Sequence, residues 1–229
     1  MKNIIAIIPA RSGSKRIKNK NIKLFNNKPI IYYPIKIAKK SRLFKKIIVT
    51  TNSIKIKKIA LKSGADDVVI RPKNLSNGKS LIIDAIKHAI NVLEKNKIKI
   101  EYVCCIFPTS ALLQTKYLTN SFKLLKNNEK KFIFSAVKFS YPIEKSFKIR
   151  GKKVKFFKNK NSNKMTQQFD KSYHDAGQFY WGKKNNWKKE KSILSNNCGH
   201  FLMPEINAID IDTVSDWKIA EAIHKKYIK

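Results

Sequence analysis

Ile4-Ile5-Ala6-Ile7-Ile8-Pro9-Ala10 runs straight into Arg11-Ser12-Gly13-Ser14-Lys15-Arg16, and then into Lys18-Asn19-Lys20-Asn21. The first seven residues form a short apolar run, as a strand buried inside a parallel sheet requires. The run empties into small residues and cations. That is how an α/β protein presents backbone N–H groups and positive charge to a phosphate chain. The spacing is neither G-x-x-x-x-G-K-[ST] nor G-x-G-x-x-G, because Gly13 stands alone. Taken by itself, the loop is also compatible with a basic surface turn.

Outward from this stretch, strands and helices alternate. Strands are expected at Lys46–Thr51, Asp67–Ile70, Glu101–Phe107 and Lys131–Lys138. Helices are expected at Ile30–Lys40, Ile54–Lys62, Ser80–Leu93 and Tyr117–Leu125. Pro29 suits the first turn of its helix, and Pro34 should bend it. Asn52 or Ser53 caps the helix that ends at Gly64. The pattern defines an α/β fold: a mostly parallel, Rossmann-like sheet with helices on both faces. The loops at 10–21, 71–80 and 107–110 leave strand carboxyl ends, where such sheets bind ligands, and should converge on one crevice.

The rhythm breaks between about 139 and 175. Ser146–Ile149 and Val154–Phe157 flank a Gly151 turn, and a polar stretch, Lys158–Lys164, follows. This reads as a hairpin arm inserted in a single domain spanning residues 1–229. Its aromatic residues suit contact with a second copy, and a lid is the other reading. Beyond the arm, a short strand is expected at Gln178–Trp181 and an edge strand at His200–Met203. Ile206–Asp212 reads as a strand, and Thr213–Tyr227 as a terminal helix with a Thr213/Asp216 capping box.

Composition narrows the class. The 229 residues suffice for one sizeable core, and 42% of them are hydrophobic. A formal net charge of +35 suggests nucleic acid or an anionic surface. The excess is nearly all lysine, with arginine only at Arg11, Arg16, Arg42, Arg71 and Arg150. Base recognition leans on bidentate arginine and stacked aromatics, so dedicated nucleic-acid binding is set aside as the alternative of another class. Cys104, Cys105 and Cys198 have no C-x-x-C spacing. They read as reduced thiols of a cytoplasmic protein, and no stretch is long enough to span a bilayer.

Asp210 and Asp212 are two of only 15 acidic residues. On a strand they share a face, with Ile209 and Ile211 turned to the core. Paired carboxylates at a strand end suit a divalent cation, and oxygen ligands favour Mg²⁺. They could instead cap the terminal helix and pair with lysines. A phosphate loop, paired acids and an α/β sheet together point to nucleotidyl transfer.

Ile8-Pro9-Ala10-Arg11-Ser12-Gly13-Ser14-Lys15, followed by Lys20-Asn21 and Lys28-Pro29, resembles the N-terminal signature of the CMP-sialic acid synthetase family. Arg71-Pro72, Pro108-Thr109-Ser110 and the closing Ile209-Asp210-Ile211-Asp212-Thr213 with Asp216-Trp217 fall in order, so the resemblance covers nearly the whole chain. Tyr173–Gly182 is similar in particular to the members that act on pseudaminic acid. The resemblance implies that CMP passes from CTP to the anomeric hydroxyl of a nonulosonic acid. N-acetylneuraminic, legionaminic and 3-deoxy-octulosonic acids are the other acceptors it allows.

It also implies roles. Arg11, Ser14, Lys15, Lys20 and Asn21 contact the CTP phosphates, and Arg71 and Ser80 lie where cytosine is read. Lys15, Lys20 and Asp210 are the catalytic set, and Asp210 and Asp212 hold Mg²⁺. Apart from the resemblance, Gln178 and Tyr180 alternate with Phe179 and share a strand face that suits either a sugar pocket or the core; with His174 and Lys164 they are the sugar-site candidates. The segment 139–170 becomes the arm of a homodimer. Three features depart from the family pattern: Phe107 in place of a glutamine, Asn77-Gly78 in place of an acidic pair, and Met165–Gln168 in place of a segment with an arginine. Lys164 is the nearest substitute for that arginine, as a point charge without the bidentate fork.

Overall fold

Ile4 through Ile8 are all 3% exposed or less, which requires cover on both faces of strand β1 (Ile4–Pro9). Ile4, Ala6 and Ile8 pack into one apolar layer, and Ile5 and Ile7 into another. Burying each isoleucine contributes about 1.5–3 kcal/mol, so this one strand anchors much of the core. The computed structural model describes residues 3–76, 80–157 and 164–228. Asn77-Gly78 and the polar stretch at 158–163 lie outside the described residues.

After β1 the chain forms a two-residue ribbon of β2 (Leu24–Phe25) and β3 (Lys28–Pro29). There follow α1 (Tyr32–Lys40), β4 (Lys46–Thr51), α2 (Ile54–Lys62), β5 (Asp67–Ile70), α3 (Ile82–Lys95) and β6 (Tyr102–Ile106). Then come α4 (Thr115–Lys126), β7 (Phe132–Lys138), β8 (Phe147–Arg150) and β9 (Lys153–Phe156). The chain closes with β10 (Tyr173–Lys183), α5 (Lys184–Lys189), β11 (Cys198–Leu202) and α6 (Val214–Tyr227). The seven-stranded sheet has the order β11-β7-β10-β6-β1-β4-β5. All its pairings are parallel except those of β10, which runs antiparallel to β6 and β7. Helices α1, α2 and α4 contribute to one apolar layer; α3 and α5 contribute to the other.

Order reverses at β1, with β4 on one side and β6 on the other, and a ligand crevice forms at such a switch point. The expected mostly parallel sheet and the antiparallel β8–β9 hairpin around Gly151 are both present. Ser53, rather than Asn52, caps α2, accepting from Ile56 N at 3.4 Å. Gly64 ends that unit at φ +101°, a conformation that favours glycine.

Three expectations are corrected. Helix α1 starts at Tyr32, so Pro34 sits in its first turn, where no intrahelical hydrogen bond is lost, and Pro29 belongs to β3. The short strand expected at Gln178–Trp181 is the centre of an eleven-residue strand with a register shift between Asp175 and Tyr180. Trp187 is fully buried in the short helix α5. Finally, Ile206–Asp212 is not a strand. A 3₁₀ turn over Glu205–Asn207 follows Pro204, and the chain from 208 to 212 forms no strand. Buried Asn207 explains the break: its amide donates to Leu112 O at 3.0 Å and accepts from Tyr117 OH at 2.8 Å. Satisfying that buried amide outweighs continuing the strand.

The capping box of α6 forms as expected. Thr213 N and Oγ1 donate to Asp216 Oδ2 at 2.7 and 2.8 Å, and Asp216 N donates back to Thr213 Oγ1 at 3.2 Å. Partial burial pushes the Asp216 carboxyl upward, but these donors and Asp212 N outweigh it and hold it below its usual value. A depressed carboxylate contributes stability above the unfolded value of about 4, lost as pH falls through the folded value. Asp216→Ala is therefore expected to cost about 1 kcal/mol in urea unfolding at pH 7. The gap to the parent should close in the acid range.

Candidate active site

A cleft of about 820 Å³ opens at the carboxyl ends of β1, β5 and β6. The loops at 10–21, 71–80 and 107–110 all contribute to its walls, as the alternation predicted. Among the expected nucleotide contacts, Arg11, Ser14, Lys15, Lys20, Asn21, Arg71 and Ser80 line it, and so does Asp212 from the far end of the chain.

The first loop is shaped by its own residues. Gly13 has φ +83° with nothing near its missing Cβ, so conformation rather than space selects glycine. Ser12 N and Oγ donate to Asn52 Oδ1 at 2.8 and 3.1 Å, tying the loop to the end of β4. Asn19 is left-handed at φ 55° and leads into a 3₁₀ turn that carries Lys20 and Asn21. Buried Asn21 donates to Arg11 O at 2.8 Å and closes the turn. Asn21 is thus a strut of the loop as well as part of the wall.

Lys20 Nζ donates to Ile211 O at 2.7 Å and to Asp212 Oδ1 at 3.1 Å. Arg16 reaches Asp212 Oδ2 at 2.8 Å. The cationic turn near the start and Asp212 near the end therefore meet at one cleft. The backbone N–H of Asp212 donates to Asp216 Oδ2 at 3.1 Å, so the cap of α6 also fixes this acid.

Asp210 is not part of the cleft wall. Its carboxylate stands over Gly177, 3.6–3.8 Å from where a Cβ would lie. Burial raises the Asp210 carboxyl, the neighbouring charges of Asp212 and Asp175 raise it further, and Lys20 and Arg16 pull it back. The strand that should have put Asp210 and Asp212 on one face is absent. The alternation still survives: Ile211 is buried with Trp217 and Phe25, and the two acids remain electrostatic neighbours. No group of three or more metal-ligating side chains occurs among the described residues. Two hard carboxylate donors suit a partly hydrated Mg²⁺ that takes its other ligands from phosphate and water.

Arg71 is 7% exposed and its guanidinium donates to Thr50 O at 2.9 Å. Burial, then Arg11, lowers its pKa to about 10, so it stays charged at neutral pH. Arg71 lines the cleft, while its Nε is buried and finds no hydrogen-bond partner among the described residues.

The sugar-site candidates are placed less simply. Gln178 is 2% exposed and its amide donates inward, to Ala176 O at 2.9 Å and Ile209 O at 3.3 Å. Tyr180 donates to Asp175 Oδ2 and packs edge-on against Phe107 at 5.4 Å. Burial and Asp175 both raise its phenol. His174 is exposed, packs 4.6 Å from the Phe139 ring and contacts Asp175 O at 2.9 Å. Lys164 is exposed. None of these four lines the cleft. Gln178 is buried beside the β10 irregularity, with its amide turned towards the 209 backbone.

Three residues escaped the sequence reading as site groups: Arg16, Asn52 and Asp175. Arg16 was readable as part of the cation cluster. Asp175 was readable as an acid beside a glycine at a strand irregularity, a place where side chains are often re-aimed. Nothing in the sequence marked Asn52 beyond its capping chemistry. Cys104 and Cys105 are fully buried, which raises both thiols, as expected of inert reduced cysteines.

A phosphate-type loop meeting a carboxylate at the switch point of a doubly wound sheet defines a nucleotidyltransferase. Residues 5–218 match the family described as cytidylyltransferase. The chain is 37% identical over 226 residues to the pseudaminic acid cytidylyltransferase of Campylobacter jejuni subsp. jejuni serotype O:23/36 (strain 81-176), covering 98% of this chain and 97% of that one. It is 30% identical over 224 residues to the N-acylneuraminate cytidylyltransferase of Escherichia coli O18:K1:H7 (strain RS218 / NMEC), covering 97% of this chain and 52% of that one. CMP:2-keto-3-deoxy-manno-octonic acid synthetase, solved in complex with CTP, superposes with a TM-score of 0.72 at 12% identity. That match covers 98% of this chain and 99% of that one and is a likeness of fold. The chain belongs to the cytidylyltransferase family, whose enzymes transfer a nucleotidyl group from CTP. Among the described residues no helix is long and apolar enough to cross a membrane.

Proposed function

We propose that the protein transfers CMP from CTP to the anomeric hydroxyl of pseudaminic acid and releases pyrophosphate. The observation that carries the reaction is the meeting of Arg16 and Lys20 with Asp212 in one cleft. Pseudaminic acid as acceptor follows from the relative that is 37% identical over nearly both full lengths.

In this reading the triphosphate lies along residues 11–21. Arg11, Lys15 and Lys20 neutralise its charge, Ser14 donates to it, and Asn21 holds the turn in shape. Arg71 and Ser80 recognise the base. Asp210 and Asp212 hold Mg²⁺, which when bound draws charge from the phosphates. The sugar oxygen bonds to the α-phosphorus as the bond from that phosphorus to the oxygen bridging to β breaks. Pyrophosphate leaves, and the hydroxyl proton passes to solvent. Lys15 and Lys20 are the cations placed to stabilise charge on the leaving pyrophosphate. Tyr180, His174 and Lys164 lie towards the sugar end, and Asp175 joins them through Tyr180.

The test is an assay of CTP and Mg²⁺ with pseudaminic, legionaminic, N-acetylneuraminic and 3-deoxy-octulosonic acids, with products identified by mass. CMP-pseudaminic acid should dominate. A different CMP-sugar would reassign the acceptor, and no CMP-sugar with any acid would end the proposal.

The active form is a cytoplasmic homodimer. Phe147, Ile149, Val154, Phe156 and Phe157 are all exposed on or beside the β8–β9 hairpin, an apolar surface that a second copy would cover. Sedimentation should give a dimer, and Phe147→Asp with Phe156→Asp should give a monomer whose CTP affinity changes less than twofold.

A further inference from the structure

Both carboxylate oxygens of Asp212 are already engaged by cations, Oδ2 by Arg16 at 2.8 Å and Oδ1 by Lys20 at 3.1 Å. The two partners are not equivalent. Lys20 is also anchored on Ile211 O at 2.7 Å and its side chain is 20% exposed. The Arg16 side chain is 67% exposed and Asp212 is its one ion-pair partner among the described residues. Arg16 is therefore the partner that can leave. A divalent cation approaching Asp212 in the free protein meets two positive charges and a carboxylate with both oxygens in use. A triphosphate in the cleft offers Arg16 a richer anionic partner with bidentate geometry.

We infer that Arg16 is a positioning residue that keeps Asp212 from taking a divalent cation until a nucleotide has drawn the guanidinium away. The inference rests on Asp212 being a metal ligand, as proposed above. It makes metal and nucleotide binding cooperative, and by linkage the factor is the same in both directions. An ion pair this exposed is weak, so the expected effect of losing it is roughly two- to fivefold in metal affinity.

The experiment measures Mn²⁺ binding by electron paramagnetic resonance, without and with CTP and in the absence of sugar. Arg16→Ala should bind Mn²⁺ alone roughly two- to fivefold more tightly than the parent, and its further gain on adding CTP should shrink accordingly. Arg16→Lys, which keeps a cation, should stay close to the parent. Lys55→Ala removes an exposed cation of α2 that borders the same surface hollow as Arg16, with no Asp212 contact seen, and should change Mn²⁺ affinity less than twofold. Equal affinity for the parent and Arg16→Ala, or an equal gain in Lys55→Ala, would overturn the inference and leave the metal role standing. Asp212→Asn that binds Mn²⁺ with CTP as tightly as the parent would instead remove the metal role itself.

Discussion

Asp212→Ala is expected to lower kcat/KM for CMP-sugar formation by on the order of 10³, a loss of about 4 kcal/mol of transition-state stabilisation. Asp212 lines the cleft, holds two cations of the phosphate loop and is itself held by the cap of α6. In the proposed mechanism, removing it takes away a metal ligand; removal also leaves Arg16 without its Asp212 ion pair and Lys20 held through Ile211 O. Stability should hardly move, because partly exposed ion pairs contribute about 0–1 kcal/mol. Pyrophosphate release should fall while the urea midpoint stays. Parent-like turnover in the variant would remove Asp212 from the mechanism.

Lys20→Ala is expected to cost roughly 10²–10³ in kcat, the usual loss when one preorganised donor to developing charge is removed. Lys20 is fixed at three points: its backbone in a 3₁₀ turn, its amine on Ile211 O, and the same amine on Asp212. That rigidity lets it meet a leaving pyrophosphate without reorganisation. Steady-state kinetics should show the loss mainly in kcat. A rise in KM alone would mean that Lys20 binds the ground state and transition state equally.

Much of this was legible from residues alone. The apolar run of β1, the strands at 46–51 and 67–70 and the face of α3 follow from periodicity, because the two-sided core demands it. The family motifs implied that the cationic turn and the closing acids serve one site, though not the Lys20–Asp212 contact itself, which the structure adds. What periodicity did not carry was decided by single polar residues at tertiary distance. Asn207 bends the segment before the acids by satisfying its amide 95 residues away on Leu112. Beside the β10 irregularity Gln178 turns inward and Asp210 stands over Gly177, which no local pattern announces. The start of α1 was misread because two prolines competed for one first turn and the β2–β3 ribbon took Pro29.

The central claim is that the turn at residues 11–21 grips the triphosphate while Asp212 faces it across the same cleft. A crystal structure with CTP and Mg²⁺ measures this directly. The expected result places the β- and γ-phosphates on Lys15 and Lys20, the metal on Asp212, and Arg16 on phosphate instead of Asp212. A nucleotide bound elsewhere, or a triphosphate pointing away from residues 11–21, would contradict it.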